Sequence, residues 1–351
     1  MQDSRSPGPV PDWNAVGEAL DAHRRFLVTT HLNPDGDGLG AELGLWAYLR
    51  SRGKDVRIVN PDPLSARYEF LAREGTYEPY DPESHEEFIE ACEVVIVLDI
   101  SRWDRLGVLG ERLRRRKALT VCIDHHPFEA NGMADLYGVD LTAAATGQLV
   151  YEMIRARGHA VDRKMALGFY ISILTDTGSF RFSNSDSRAH RVAAELLQHD
   201  LDPSDIYEEV YGNSSLPRLR LLGASLAGLR VEAEGRLVVL VIPKESLRTT
   251  GAVPADTEGF VDIARTAQGC EGVALFLERE DGQVKLSLRS RGRLDVNRVA
   301  SRFGGGGHVL ASGATLEGPL DRAVEEVLGA LRAGLDENRP GGTAGGPARR
   351  P

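Results

Sequence analysis

The stretch FLVTTHLNPDGDGLGAELGLWAYLR, residues 26–50, passes from an apolar, β-branched run through a glycine-rich polar loop into a helix-forming segment. Residues 26–30 have the composition of a buried strand, and 38–52 that of a helix. The loop between them places His31, Asp35 and Asp37 within seven positions. An Asx-rich turn capping the following helix would account for such a loop, and so would half of a metal site whose other ligands lie further along the chain.

Working outward, DVRIVN (55–60), VVIVLDI (94–100) and ALTVCIDHH (118–126) read as further strands, and 145–157, 162–175 and 187–199 as helices. Apolar β runs separated by helices predict an α/β domain over 12–201, with a largely parallel sheet flanked by helices. In such sheets the chemistry lies beyond the carboxyl ends of the strands. His31 ends one predicted strand, Asp99 another, and Asp124, His125 and His126 a third.

Residues 202–225 read as a helical linker with a polar break at GNSS (212–215). Residues 226–336 predict a smaller C-terminal α+β domain. LRVEAEGRLVVLVIP forms a hairpin there, 255–268 a helix, and GVALFLERE with QVKLSLRS a second hairpin. The helix VNRVASRF, the run GGGGH (304–308) and a last helix at 319–335 follow. The tail, 337–351, lacks apolar periodicity and is expected to be disordered. No internal repeat is visible.

At 351 residues and 42% hydrophobic content the chain can fill two cores. It has no long apolar run of membrane-spanning type and no signal-peptide order at its start, so a cytoplasmic protein without a membrane partner is expected. Cys92, Cys122 and Cys270 are far apart and read as reduced core residues. A net charge of −10 disfavours holding long nucleic acids by charge alone. The basic run RLRRRK (112–117) is most simply a solvated helix face.

Asp99 follows EVVIVL, at the end of what should be a central strand, where a carboxylate needs a compensating partner. Adjacent histidines on an extended segment point to opposite sides, so only one of His125 and His126 is expected to ligate simply, with Asp124 orienting an imidazole. Asp176 ends an apolar helical run, an unfavourable dipole placement. Four aspartates and two or three histidines are the inventory of a two-metal centre, and their mixed O/N ligation suits Mn²⁺, with Mg²⁺ less well suited. Two such ions about 3.5–4 Å apart can share a carboxylate and stabilise phosphoryl oxygens. The second constellation is GGGGH, where Gly304, Gly305, Gly306 and Gly307 offer approachable amides beside His308. Arg289, Arg291 and Arg293 lie just upstream. A phosphate-gripping second domain facing the first would put the active site in an inter-domain cleft, with the linker as hinge.

HLNPDGDGLG, VVIVLDIS, IDHHP, ILTDTGSFRFSN and SLRSRGRLDVNRVASRFGGGGHVLASGA together resemble the DHH phosphoesterase superfamily with its DHH-associated C-terminal domain. The likeness is strongest to the bacterial oligoribonuclease (nanoRNase) and phosphoadenosine-phosphate phosphatase branch. It implies that His31, Asp35 and Asp99 hold one Mn²⁺. Asp37, Asp99, His125 and Asp176 would hold the other, with Asp99 bridging. His126 would face the scissile phosphate and Asp124 would support it. In the C-terminal domain, Arg289 or Arg291, the glycines 304–307 and His308 would grip the far end of the substrate, and Arg181 and Asn184 would stand near it. The implied activity is hydrolysis of very short RNA, linear dinucleotides or phosphoadenosine phosphate. The alternative is a single-strand exonuclease acting on longer DNA or RNA, which the acidic balance disfavours. A non-catalytic nucleotide sensor would require lost ligands, and none is lost. Exposed strand edges would favour a homodimer.

Overall fold

The computed structural model describes residues 12–74, 77–127, 132–307 and 309–337. The chain divides into two compact units between Asn213 and Ser214, within the GNSS break.

The first unit contains six strands, β1 (Arg25–Thr29), β2 (Asp55–Asn60), β3 (Tyr77–Pro79), β4 (Val94–Leu98), β5 (Leu119–Asp124) and β6 (Leu136–Val139). They form one sheet in the order β3-β2-β1-β4-β5-β6, every pair parallel. Its helices are α1 (Trp13–Ala22), α2 (Gly36–Ser51), α3 (Pro82–Ala91), α4 (Gly107–Arg114), α5 (Thr146–Ala156), α6 (Arg163–Asp176) and α7 (Ser187–Leu196). The strands alternate between two cores. Phe26, Val28, Ile58, Ile96 and Ile123 pack under α2, α5 and α6. Leu27, Val59, Val95 and Val97 pack against Ile89, Leu109 and Leu113 of α3 and α4. Burial on both faces explains why these strands are continuously apolar.

Strand order reverses between β1 and β4, which opens a crevice beyond their carboxyl ends. Helices α2 and α6 approach each other there unusually closely. A Cβ on Gly40 would stand 2.3 Å from the Gly168 carbonyl, and one on Gly168 would stand 2.5 Å from that of Gly40. Only glycine permits this crossing, which brings the carboxyl end of α6 beside the amino end of α2.

After the short helix α8 (Pro203–Tyr207), the second unit begins with α9 (Leu216–Ala227). Its elements are β7 (Arg230–Glu232), β8 (Leu237–Ile242), α10 (Lys244–Thr250), α11 (Phe260–Ala264), β9 (Gly272–Glu278), β10 (Val284–Ser290), α12 (Val296–Ser301), β11 (Gly306–Gly307), β12 (Ala311–Leu316) and α13 (Leu320–Glu337). The sheet order is β11-β12-β10-β9-β8-β7, with β8 and β9 parallel and the remaining pairs antiparallel. The helix expected over 255–268 is instead a 3₁₀ turn, Pro254–Thr257, followed by α11. Gly259 at φ +79° separates them, a conformation that no helix continues through. The expected tail beyond residue 337 lies outside the described residues. Among the described residues no helix is long and apolar enough to cross a membrane.

Candidate metal centre

His31 lies just beyond β1 and is 7% exposed. Its Nδ1–H donates to the Leu32 carbonyl at 2.9 Å, which turns Nε2 toward the neighbouring carboxylates. That Nε2 stands 3.8 Å from Asp35 Oδ2 and 3.5 Å from Asp99 Oδ2. Asp35 caps α2, its Oδ1 accepting from the Asp37 and Gly38 amides at 3.0 and 3.3 Å. With the other ligand-type residues in view the loop is expected to be half of a metal site rather than a turn. The structure corrects the second part, for one oxygen of Asp35 caps the helix while the other faces His31.

Asp37 is held at the amino end of α5. Ala145, at the N-cap, provides no side-chain acceptor. The Thr146 amide donates to Asp37 Oδ2 at 2.9 Å and the Gly147 amide to Oδ1 at 3.2 Å. The Ser172 hydroxyl donates to Oδ1 as well. A carboxylate there satisfies amides the helix itself cannot, and suits the positive end of its dipole.

Asp99 follows β4 at φ +64°, a left-handed conformation that aspartate tolerates better than most residues. Its two oxygens face opposite ways. Oδ2 looks toward His31, whereas Oδ1 lies 3.6 Å from His125 Nε2 and accepts from the Thr146 hydroxyl at 3.0 Å. His125 Nε2 also stands 3.3 Å from Asp37 Oδ2 and 3.7 Å from Asp176 Oδ2. Asp176 is the last residue of α6, and the Asn184 amide donates to its Oδ2 and its carbonyl, both at 3.1 Å.

The expectation that His125 and His126 face apart is not met. Strand β5 ends at Asp124, so strand alternation does not extend to either histidine. Their rings meet edge-on at 4.5 Å, and His126 Nδ1 is 3.4 Å from Asp99 Oδ1. His126 Nδ1–H donates to Asp124 Oδ1 at 2.7 Å.

Ligand-type atoms thus gather into groups that could each hold a metal ion: His31, Asp35 and Asp99; Asp37, His125 and Asp176; and Asp99, His125 and His126. The donor set fits a divalent cation. His125 Nε2 is buried without a hydrogen-bond partner while three carboxylates surround it, as a nitrogen directed at a shared ion would be.

The electrostatics point the same way. Burial alone would lower the His31 pKa, but the Asp99 carboxylate 3.5 Å away and the charge of Asp35 raise it to about 10. His125 is likewise raised well above its ordinary value, by Asp37 and Asp176 against burial. Burial, then the neighbouring Asp37, pushes Asp99 up to about 7. Asp176 is also raised to about 7, by burial and then by Asp37 and Asp99, against the His125 charge. Without a cation, protons hold this cluster together, so an incoming ion must displace them. Metal uptake should therefore release protons at neutral pH. Affinity should keep rising above pH 7 by roughly tenfold per unit for each proton displaced, rather than level off near the ordinary imidazole value. Calorimetric Mn²⁺ titrations in two buffers of different ionisation enthalpy count those protons; a count of zero would refute the protonated cluster.

Thr146 and Gly147 at the start of α5, and Ser172 in the last turns of α6, escaped the sequence reading because small residues within helices carry no distinctive signal. Asn184 holds Asp176 in place, and Arg181 is exposed, its Nε donating to the Gly178 carbonyl at 2.6 Å. The second unit carries the other predicted residues. Arg289 is half-buried, donating from Nη1 to the Leu288 carbonyl at 3.0 Å with Nε 3.7 Å from Asp262, while Arg291 and Arg293 are exposed. Gly304 adopts φ +73°, and Gly306 and Gly307 form edge strand β11. A Cβ on Gly305 would stand 2.1 Å from the Gly313 carbonyl. His308 lies outside the described residues.

Residues 25–173 match the model of the DHH family, N-terminal domain, and residues 235–336 that of the DHHA1 domain. Over 323 residues the chain is 34% identical to the bifunctional oligoribonuclease and PAP phosphatase NrnA of Thermus thermophilus, covering 91% of this chain and 93% of that protein. The chain belongs to the DHH family. The NrnA of Bacillus subtilis, with the same description, is 29% identical over 85% of this chain and 91% of its own. An exopolyphosphatase-related protein from Bacteroides fragilis superposes with a TM-score of 0.87 at 26% identity, covering 92% of this chain and 97% of that one. As a DHH phosphoesterase the chain is a hydrolase of phosphoester bonds, and these His and Asp groups could hold the metal on which such enzymes depend.

Proposed function

We propose that this DHH phosphoesterase hydrolyses short oligoribonucleotides, linear dinucleotides included, to mononucleotides and removes a phosphate from phosphoadenosine phosphate. It would use two divalent cations, preferentially Mn²⁺. The observation that carries the two-ion reading is Asp99, whose oxygens face His31 on one side and His125 on the other. His31, Asp35 and Asp99 would hold one ion, and Asp37, Asp99, His125 and Asp176 the second. The substrate class is supported by the two NrnA relatives, which share nearly the whole chain.

The ions would supply Lewis acidity toward phosphoryl oxygens and toward water. The protein's own groups do the rest. Thr146, Gly147 and Ser172 fix Asp37, Thr146 fixes one oxygen of Asp99, and Asn184 fixes Asp176. Asp124 accepts from the His126 Nδ1–H and, against burial, raises the pKa of the ring to about 9. In the second unit, Arg289 or Arg291, the run Gly304, Gly305, Gly306 and Gly307, and His308 would bind the remote end of the substrate, where guanidinium forks suit phosphate. The Gly304 and Gly305 amides are already taken, donating to the Ser301 and Ala300 carbonyls at 3.2 and 3.0 Å, so the glycines would contribute room for the substrate rather than those two donors. The metals rather than a basic surface then attract the substrate, which fits a chain of net charge −10.

The test is a length series. With Mn²⁺, phosphoadenosine phosphate, a dinucleotide, a five-residue oligoribonucleotide and a long single strand are compared by kcat/KM. The value is expected to fall by roughly tenfold or more between the shortest substrates and the long strand, a loss of at least about 1.4 kcal/mol in transition-state stabilisation. Equal or better turnover of the long strand would assign the chain to the exonuclease alternative.

A further inference from the structure

Glu42 is a carboxyl group that the reading above leaves without a task. It lies on α2 with 0% exposure, and no cation pairs with it among the described residues. One oxygen, Oε2, accepts from Asn60 Nδ2 at 2.9 Å, and the other is buried without a hydrogen-bond partner. A charged carboxylate in that position would leave an oxygen both desolvated and unpaired, a far heavier cost than a neutral acid bears.

The partner of Glu42 leads directly to the metal cluster. Asn60 is the last residue of β2 and is 2% exposed. Its Oδ1 accepts from the Thr30 amide at 3.0 Å. Thr30 lies one residue past the end of β1, where the ladder no longer supplies an acceptor for its buried N–H. The Thr30 hydroxyl donates to the Leu98 carbonyl at 2.9 Å. Thr30 immediately precedes His31, and Leu98 immediately precedes Asp99. The hydrogen bonds therefore run from α2 through β2 and β1 to β4 and end at the two residues that face one another at 3.5 Å. The orientation of the Asn60 amide follows from its contacts: the oxygen must meet the Thr30 N–H, so the NH₂ must meet an acceptor, and Glu42 is that acceptor.

We propose that Glu42 is a positioning residue for the His31–Asp99 half of the centre, acting as an uncharged hydrogen-bond acceptor for Asn60 and through it on the Thr30 amide. The proposal rests on the reading that His31, Asp35 and Asp99 hold one ion. Removing the acceptor frees the Asn60 amide to turn, leaves the Thr30 N–H unpaired, and loosens the backbone that aims His31. Supporting groups of this kind typically change metal affinity by roughly 10–100-fold.

The experiment measures Mn²⁺ affinity and stoichiometry calorimetrically, together with the thermal midpoint, for the full chain and its E42Q, E42M, N60A and H31A variants. Gln at 42 keeps an acceptor oxygen and is expected to bind within about threefold of the parent, whereas Met and the Asn60 variant should weaken one ion by roughly tenfold or more. Normal Mn²⁺ binding by E42M or N60A, with only a lowered midpoint, would reduce Glu42 to a fold-stabilising residue and overturn the proposal. Equal weakening in E42Q and E42M would overturn it differently, by showing that charge is what the site requires. If E42M does not fold, N60A breaks the same link from the other side and decides alone. H31A separates this idea from its premise: if H31A retains both ions, the assignment of His31 fails whatever Glu42 does.

Discussion

Asp99→Asn is expected to abolish turnover, by roughly 10³-fold or more, because one substitution weakens both proposed ion positions at once. Asparagine keeps the volume of aspartate and is among the few residues that accept φ +64°, so the backbone beyond β4 should survive. An alanine there would confound the result with strain, which is why the amide is the informative change. The Thr146 hydroxyl can still donate to the amide oxygen. What is lost is the anionic charge between His31 and His125, whose Nε2 atoms lie 3.5 and 3.6 Å from its two oxygens. Three readouts belong together: turnover, Mn²⁺ stoichiometry, and the rise in thermal midpoint on adding Mn²⁺, which follows the affinity for the folded state. All three should collapse while the metal-free midpoint changes little. A variant that binds one ion with full affinity and loses only the other would mean that Asp99 serves a single position, and the shared-carboxylate assignment would be withdrawn.

The strands that build this site were legible because nothing else explains them. β1, β4 and β5 are continuous apolar runs, each stopping at a histidine or aspartate, and a two-sided parallel sheet is the structure in which both features belong. Strands β3 and β6 were not legible, being short edge pieces whose sequences, YEP and LYGV, carry neither length nor alternation. The ligand-type residues could be found because carboxylates and imidazoles at apolar strand ends need a reason to be there. Their supports could not: Thr146 and Ser172 are common residue types whose roles depend on which helix end meets which carboxylate, and Asn184 was named through the family resemblance as a residue near the substrate, not as the support of Asp176. Adjacent His125 and His126 misled for a related reason. Period-two alternation holds only while the ladder does, and β5 ends one residue before them. Glu42 was hidden most completely, since a glutamate in a helix ordinarily reads as solvated surface. Here α2 is closed over by α5, α6 and the sheet together, and its polar residue is buried with the rest.

His126→Ala is expected to lower kcat by roughly 10²-fold while both ions still bind, the range in which a positioned proton donor contributes. His126 is the more exposed of the adjacent pair, its side chain 32% accessible against 10% for His125. Burial would lower its pKa, but the hydrogen bond from Nδ1 to Asp124 and the charge of Asp99 raise it to about 9. Asp124 is fully buried, so this pairing is stiff. The ring is then an imidazolium at neutral pH, suited to stabilise charge on a phosphoryl or leaving oxygen. The sign of the pH dependence follows: the active form is the protonated one, so kcat should fall as pH rises toward 9. Divalent ions alongside would move that limb to lower pH. Asp124→Asn removes the charge that keeps the proton on and should shift the limb further down while sparing metal stoichiometry. The grouping of Asp99, His125 and His126 permits a competing role, since His126 could itself ligate. The two roles separate by calorimetry. A ligand's removal costs an ion and with it the midpoint rise on metal addition, whereas a proton donor's removal costs rate and the basic limb alone. Loss of an ion in His126→Ala would therefore transfer His126 to the metal, and the proton for the leaving oxygen would have to come from water.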